Sequence, residues 1–202
     1  MRFQRFALAA FVAGALSLGA GPLGSGAAQA QAQESAADFF SSIFQPGGFS
    51  SRPQQSAIPR QVVQFTGQYS PGTIVVSTKE RRLYYVMGGG RAIQYGVGVG
   101  RPGFQWGGAK AVTRKAEWPG WTPPPQMLKR RPDLPRHMKG GPDNPLGARA
   151  LYLGSSLYRI HGSNEPDTIG QAVSSGCFRM TNADVTDLYD RVRVGARVVV
   201  LR

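Results

Sequence analysis

The sequence lacks an apolar run long enough to cross a membrane as a helix, which takes about 20 residues. Its longest apolar stretch, residues 6–18, is shorter, follows Arg2 and Arg5, and leads through small residues to Ala-Gln-Ala at 28–30. Positive charge, an apolar core and Ala-Xaa-Ala in this order predict a secretory signal peptide over residues 1–30. We therefore expect an exported, periplasmic protein, without a lipid anchor because no cysteine stands at the cleavage site.

Cysteine is almost absent as well, since Cys177 is the only one among 202 residues. A single cysteine excludes an internal disulfide, although exported proteins commonly use cysteines in pairs. A lone thiol in an oxidising compartment is open to oxidation or to mixed disulfides. Burial, pairing with another chain and chemical reactivity are the three explanations, and the residues around Cys177 favour reactivity, as described below.

Acidic residues are scarce, with 11 Asp and Glu against 24 Lys and Arg and a formal net charge of +13. Residues 1–30 hold two arginines and no acid, so their removal leaves about +11. A basic exported protein is suited to anionic lipid or to a carboxylate-rich polymer such as a cell wall. Export argues against nucleic acid as a partner.

The chain divides by composition into three segments. After the signal peptide, residues 31–60 are rich in Gln, Ala, Ser, Gly and Pro without a sustained period, which predicts a flexible tether. Residues 61–202 are then predicted to form the folded domain. Short strand patterns cover residues 73–77, 82–86, 92–99, 110–118, 151–153, 157–161 and 197–201, the first two as a hairpin.

Only one stretch has helical periodicity. Apolar residues recur at i, i+3, i+4 and i+7 from Val185 to Val192, behind Asn182 as the expected N-cap and ahead of Gly195 as the expected stop. Many short strands with one C-terminal helix predict a mainly β domain, a β-rich sandwich or barrel-like fold.

Residues 101–149 form a Pro- and Trp-rich segment with a cluster of positive charge between 129 and 139. Because loops of this length are usually functional, we interpret it as a lid or groove wall beside a site, with a solvated structural excursion as the alternative.

Two segments carry the chemistry. Residues 158–164 read Tyr-Arg-Ile-His-Gly-Ser-Asn, and residues 173–180 read Val-Ser-Ser-Gly-Cys-Phe-Arg-Met. A thiol is a strong nucleophile only as thiolate, so a neighbouring imidazole that takes its proton is the expected partner. His161 ends an apolar strand, and small residues precede Cys177, which leaves the N–H groups of Gly176 and Cys177 to bind an oxyanion.

These segments resemble the signature of the L,D-transpeptidase (YkuD-type) family. In that family an Ile/Val-His-Gly-Thr-Asn-like strand end is followed, after a short Gly-containing loop, by Ser-His-Gly-Cys-Ile/Val-Arg-Leu/Met. Residues 160–164 and 174–180 match these two parts in order, and residues 140–147, 182–184 and 194–198 also match. The resemblance covers about residues 72–202 and makes 61–202 the expected catalytic domain.

The resemblance implies a cysteine-dependent acyltransferase that cross-links peptidoglycan. Cys177 is the expected nucleophile and His161 the expected base, without a metal or other cofactor. The thiol attacks the bond before D-Ala at position four of a stem peptide, and the thioester passes to an amine of a second stem. Carbapenems are expected to acylate the same cysteine. Orienting or oxyanion-binding roles fall to Gly162, Gly176 and Ser175, and substrate-binding roles to Arg179, Ser174 and Asn164; loop stabilisation is the alternative role of Arg179.

Two positions depart from the family pattern. Ser175 stands where the family usually has a histidine, which leaves His161 as the only plausible base because His137 lies in the Pro-rich segment. Residues 106–108 read Trp-Gly-Gly where many members have a Thr-Pro-Xaa-Gly turn. We expect the second departure to alter a loop and not the catalytic pair.

The acceptor stays open. Water as acceptor makes the protein an L,D-carboxypeptidase, and a lysine of an outer-membrane or wall-attached protein makes it an enzyme that anchors proteins. A non-catalytic peptidoglycan-binding module is the alternative of a different class, but such a module needs neither His161 nor Cys177.

Overall fold

Eleven strands and two α-helices lie in residues 56–202, the part of the chain that the computed structural model describes. The predicted signal peptide and residues 31–55 of the predicted tether lie outside the described residues. No helix within 56–202 has the length and apolar character needed to span a membrane. The elements are β1 (Gln61–Gln64), β2 (Ile74–Ser77), β3 (Arg82–Gly88), β4 (Arg91–Gly96), β5 (Val99–Gly100), β6 (Gly108–Glu117), α1 (Pro125–Arg130), β7 (Arg149–Leu153), β8 (Arg159–His161), a 3₁₀ turn (Pro166–Thr168), β9 (Ala172–Ser174), β10 (Phe178–Arg179), α2 (Asn182–Arg191) and β11 (Arg197–Leu201).

Nine of the strands form one sheet in the order β1-β4-β3-β2-β11-β6-β7-β8-β10, and β5 pairs with β9. Strand β6 changes partner along its length: its first residues pair with β11, and the stretch from Val112 to Glu117 pairs with β7 across a register shift. A strand that switches partner at a bulge turns a corner in a sheet. Side chains from β2 to β4 therefore share one core with those of β7 and β8, and the predicted mainly β fold is confirmed.

The helix α2 covers this core, and both of its ends differ from those predicted. Val185, Leu188 and Val192 are buried, as the periodicity required. The N-cap is Thr181 and not Asn182, because the extended Thr181 accepts the Asp184 N–H on its hydroxyl at 3.1 Å. Helical geometry ends at Arg191, before the predicted stop at Gly195.

The remaining strands agree with the pattern only in part. The hairpin of β2 and β3 is antiparallel, as predicted. The stretch 92–99 divides between β4 and β5. The short strands β1, β9 and β10 were not predicted, because two to four residues carry too little periodicity to be recognised.

The Pro-rich segment is more structured than a single long loop. It contains strand β6 and helix α1, so the true connection is residues 118–148 between β6 and β7. Leu134 and Leu146 are buried. The Asn144 amide donates to the Met138 and Lys139 carbonyls, at 3.3 and 2.8 Å, and its oxygen accepts the Leu146 N–H at 2.9 Å. The connection therefore has its own buried polar centre.

The last residues of the predicted tether contact the domain. Ile58 lies against Gly96 and Gly170. The Arg60 guanidinium forms an ion pair of 3.2 Å with Asp187 of α2. Residues 56–60 therefore contact the folded domain before β1 begins.

Candidate active site

His161 is the last residue of β8 and is held from both sides. Its strand pairs with β7, where His161 lies opposite Ala150, and with β10, where it lies opposite Arg179. The side chain is only 5% exposed. Nδ1 lies 2.6 Å from the Gly162 carbonyl oxygen, and since a carbonyl only accepts, Nδ1 carries the proton. Nε2 is therefore the ring atom with a lone pair.

The environment keeps this imidazole neutral. Burial, together with the positive charges of Arg179 and Arg159, lowers the pKa of His161 to about 3, although the hydrogen bond to Gly162 acts in the opposite direction. At neutral pH the ring is thus ready to accept a proton, but it binds that proton weakly.

Cys177 immediately precedes β10, the strand that pairs with β8. Because Phe178 pairs with Ile160 and Arg179 with His161 in parallel register, Cys177 is level with Arg159. Side chains two residues apart share one face of a strand. The pair Ile160 and Phe178 faces the core, so Cys177 and His161 lie on the opposite face, as diagonal neighbours on adjacent strands.

The thiol itself turns toward the start of β8. Its Sγ donates a hydrogen bond to the Leu157 carbonyl at 3.6 Å. Although the residue is partly exposed, burial of the sulfur raises the pKa of the Cys177 thiol, and the charges of Arg159 and Arg179 offset this only in part. The resting site therefore holds a neutral thiol and a neutral imidazole.

The turn before Cys177 is rigidly braced. Gly176 has a φ of +104°, and a Cβ there would lie 2.6 Å from the Tyr158 ring. The Trp106 ring stacks on Tyr158 at 4.6 Å, and its Nε1 donates to the Gly176 carbonyl at 2.7 Å. Trp106, expected to alter only a loop, thus holds the backbone next to Cys177.

Ser174 and Gly176 are bonded to each other within the turn before Cys177. The Ser174 hydroxyl donates to the Cys177 carbonyl at 2.6 Å and accepts the Gly176 N–H at 3.1 Å. Ser174 therefore closes the turn, and within that turn the Gly176 N–H already donates to the Ser174 hydroxyl. The Cys177 N–H is left as the backbone donor for an oxyanion.

The other predicted site residues have partners of their own. Arg179 forms a 2.8 Å ion pair with Glu165, in which the two side chains are 12% and 10% exposed. Of its two expected roles, loop stabilisation fits this contact better than substrate binding. Asn164 donates to the Asp143 carbonyl at 3.3 Å, which ties it to the 118–148 connection. Ser175 accepts a hydrogen bond from Arg101 at 3.3 Å.

Sequence reasoning missed Arg159 and Glu165. Arg159 lies level with Cys177, and its guanidinium carbon is 5.3 Å from the centre of the Tyr152 ring. Its buried Nε has no hydrogen-bond partner among residues 56–202. The alternation of β8 was the available signal, since a residue two before His161 shares its face. Glu165 left no such signal, because its contact depends on how the 3₁₀ turn folds back.

Among residues 56–202, no three His, Cys, Asp or Glu side chains cluster as possible metal ligands. The chemistry that the site offers is that of the thiol, the imidazole and the surrounding guanidinium groups.

Comparison with known proteins identifies relatives of this domain. The family model of the YkuD L,D-transpeptidase catalytic domain matches residues 71–200, well over half of the chain. The probable L,D-transpeptidase ErfK/SrfK of Escherichia coli (strain K12) is 39% identical over 160 residues, which are 73% of this chain and 49% of that protein. The chain thus spans about half the length of the curated relatives it matches.

Solved structures share the fold. The crystal structure of a probable carnitine operon oxidoreductase caia from Brucella melitensis is 46% identical, covers 73% of this chain and 96% of that one, and has a TM-score of 0.50. The activity in that name belongs to the Brucella protein. The complex of L,D-transpeptidase 3 from Mycobacterium tuberculosis with a faropenem-derived adduct is 17% identical, covers 64% of this chain and 60% of that one, and has a TM-score of 0.53.

Proposed function

This chain belongs to the YkuD-type L,D-transpeptidase family, and on that premise we propose that it is a cysteine-dependent acyltransferase that forms cross-links in peptidoglycan. The observation that carries the proposal is the shared face of β8 and β10. There a neutral imidazole, its Nδ1 tied to Gly162, is the diagonal neighbour of the only cysteine in the chain.

Acylation begins when the thiol rotates away from the Leu157 carbonyl toward Nε2 of His161. The imidazole takes the thiol proton as the sulfur attacks the carbonyl carbon before the terminal D-Ala of a stem peptide. The Cys177 N–H donates to the oxyanion. The C–N bond then breaks, the imidazole returns its proton to the departing amine, and a thioester on Cys177 remains.

The two arginines beside the site bias each proton transfer. Arg159 and Arg179 lower the pKa of the imidazole and also favour the thiolate. His161 is therefore a weak base, but once protonated it is a strong acid. Such an imidazolium gives up its proton readily, and expulsion of an amine requires that step.

Transfer reverses the same sequence with a new amine. A side-chain amine of a second stem loses its proton to His161 as it attacks the thioester carbon. The C–S bond breaks, and the proton passes from the imidazole to the sulfur. The product is a cross-link between two stems, and the enzyme returns to its neutral resting pair.

The place of action and the inhibitors follow from the same proposal. After removal of residues 1–30, the protein acts in the periplasm, where stem peptides are its donor and acceptor. Carbapenem-type inhibitors are opened by Cys177 to give a stable acyl-enzyme, a proposal supported by two proteins of the same fold, one in complex with the carbapenem imipenem and one with an adduct of the penem faropenem.

Incubation of the protein, without residues 1–30, with tetrapeptide-stem muropeptides tests the function. Mass analysis is expected to show cross-linked dimers together with released D-alanine. Loss of D-alanine alone identifies water as the acceptor, whereas unchanged muropeptides with retained binding identify a wall-binding module. Cys177→Ala is the matched control and is expected to form no product.

A further inference from the structure

A second group of positive charge lies on the side of Cys177 away from His161. Gly98, the residue before β5, forms an antiparallel bridge with Arg179, the last residue of β10. Because the two segments run in opposite directions, the end of β5 lies beside the start of β10. The Arg101 N–H donates to the Ser174 carbonyl at 3.0 Å, and its guanidinium donates to the Ser175 hydroxyl at 3.3 Å. Cys177 therefore lies between His161 of β8 on one side and Arg101 on the other.

Arg130, the last residue of α1, joins Arg101 on one aromatic ring. The guanidinium carbons of Arg101 and Arg130 lie 4.1 and 5.9 Å from the centre of the Phe104 ring. Burial and the charge of Arg130 both lower the pKa of Arg101. Neither arginine forms an ion pair with an acidic side chain of residues 56–202. Two like charges held together in this way are stabilised when an anion binds between them.

The reaction determines which part of the substrate reaches this side. The imidazole that protonates the leaving amine also takes the proton of the incoming amine, so both amines occupy the side of β8. The acyl part of the donor, which stays on the sulfur, then extends toward β5. An anion on this acyl part is the group that meets Arg101 and Arg130.

We propose that Arg101, Arg130 and the Ser175 hydroxyl form a subsite for a carboxylate on the acyl part of the donor stem peptide. The proposal rests on the proposed function for the direction in which the donor lies. A guanidinium fork matches a carboxylate in two parallel hydrogen bonds, which a lysine cannot reproduce. Ser175, in the position of the family's usual histidine, gives Arg101 a neutral partner and leaves its charge for the ligand.

Two donors test the subsite: a tetrapeptide stem with free carboxylates before the scissile bond, and the same peptide with those carboxylates amidated. D-Alanine release measures kcat/KM for each. With the unaltered protein, amidation is expected to lower kcat/KM by about tenfold, the low end for a charge-assisted hydrogen bond at a partly exposed site. In the Arg101→Gln/Arg130→Gln double variant the free-carboxylate donor falls to the level of the amidated one, whose own rate stays the same.

Matched controls separate this effect from a loss of fold or of net charge. Arg91→Gln removes one exposed charge from β4 and is expected to retain the preference for the free carboxylate. The double variant should keep the rate at which iodoacetamide, a neutral reagent, alkylates Cys177. Equal kcat/KM for the two donors with the unaltered protein, or an equal fall for both in the double variant, overturns the subsite while the proposed function stands.

If the unaltered protein releases no D-alanine from either donor, the proposed function fails and binding decides the subsite. Calorimetry of both peptides with Cys177→Ala is then expected to show about tenfold tighter binding of the free-carboxylate peptide. Adding Arg101→Gln and Arg130→Gln to Cys177→Ala is expected to abolish that difference. Equal affinities before the arginines are replaced overturn the subsite.

Discussion

Acid should destabilise this protein through His161. In the folded chain the pKa of His161 is about 3, against an ordinary value of 6.5. The lowered pKa does not reduce the free energy of unfolding above pH 6.5. Below pH 6.5 the free energy of unfolding falls, because His161 becomes protonated in the unfolded chain but stays neutral in the folded chain. Two pH units below the ordinary value, at about pH 4.5, the loss reaches about 2.7 kcal/mol, since each unit contributes about 1.4 kcal/mol. That loss stays nearly the same as long as the folded pKa lies below about 4.

Urea unfolding at pH 7.5 and pH 4.5 measures the loss, with His161→Asn as the matched variant. Asparagine can still donate to the Gly162 carbonyl but has no titrating ring. Carboxyl groups also respond in this pH range, and their contribution cancels in the comparison. The unaltered protein is expected to lose about 2.7 kcal/mol more than the variant on acidification. An equal loss in both proteins would refute the neutral, buried imidazole. The ring signals of His161, followed by NMR between pH 7.5 and pH 4.5, provide a direct check.

Three further predictions concern the residues around the pair. Glu165→Gln removes the carboxylate of the buried ion pair with Arg179 and should lower the free energy of unfolding by about 3–5 kcal/mol. Glu117→Gln breaks an ion pair whose acid is 60% exposed and should cost less than about 1 kcal/mol. Similar costs for the two substitutions would contradict this difference. Gly176→Ala should slow acylation and lower the free energy of unfolding by about 1–3 kcal/mol. Gly103 also has a positive φ but has open space around it, so Gly103→Ala should keep its acylation rate. Equal losses of rate in the two variants would show that the contact with Tyr158 does not matter. Arg159→Gln should raise the pKa of the Cys177 thiol, so the pH profile of its alkylation by iodoacetamide should move to higher pH. An unchanged profile would show that Arg159 does not affect the pKa of this thiol.

The candidate pair, His161 and Cys177, could be recognised in the sequence because the signals around each residue are local. His161 ends a strand pattern, and Cys177 follows small residues in a turn, so each was recognisable within a few positions. The same local rules predicted the β2–β3 hairpin and the buried face of α2. They placed its N-cap one residue late, because Thr181 and Asn182 are both good capping residues and only the backbone distinguishes them.

The rest depends on contacts between distant segments. Trp106 bonds to Gly176 across 70 positions and Arg101 to Ser175 across 74, and no local pattern connects either pair. The hydrogen bonds of Ser174 within the turn could not be predicted either, because a hydroxyl at this position can contact substrate or the backbone equally well. Which polar atoms remain free for substrate was therefore the least predictable feature of the site.

We expect Cys177 to carry the acyl group during turnover. The most direct measurement is intact-mass spectrometry of protein quenched in acid shortly after mixing with a tetrapeptide-stem donor, followed by peptide mapping. We expect one adduct with the mass of the donor minus D-alanine, on Cys177, released by hydroxylamine and absent from Cys177→Ala. An adduct on another residue, or cross-linked product formed by Cys177→Ala, would contradict this expectation.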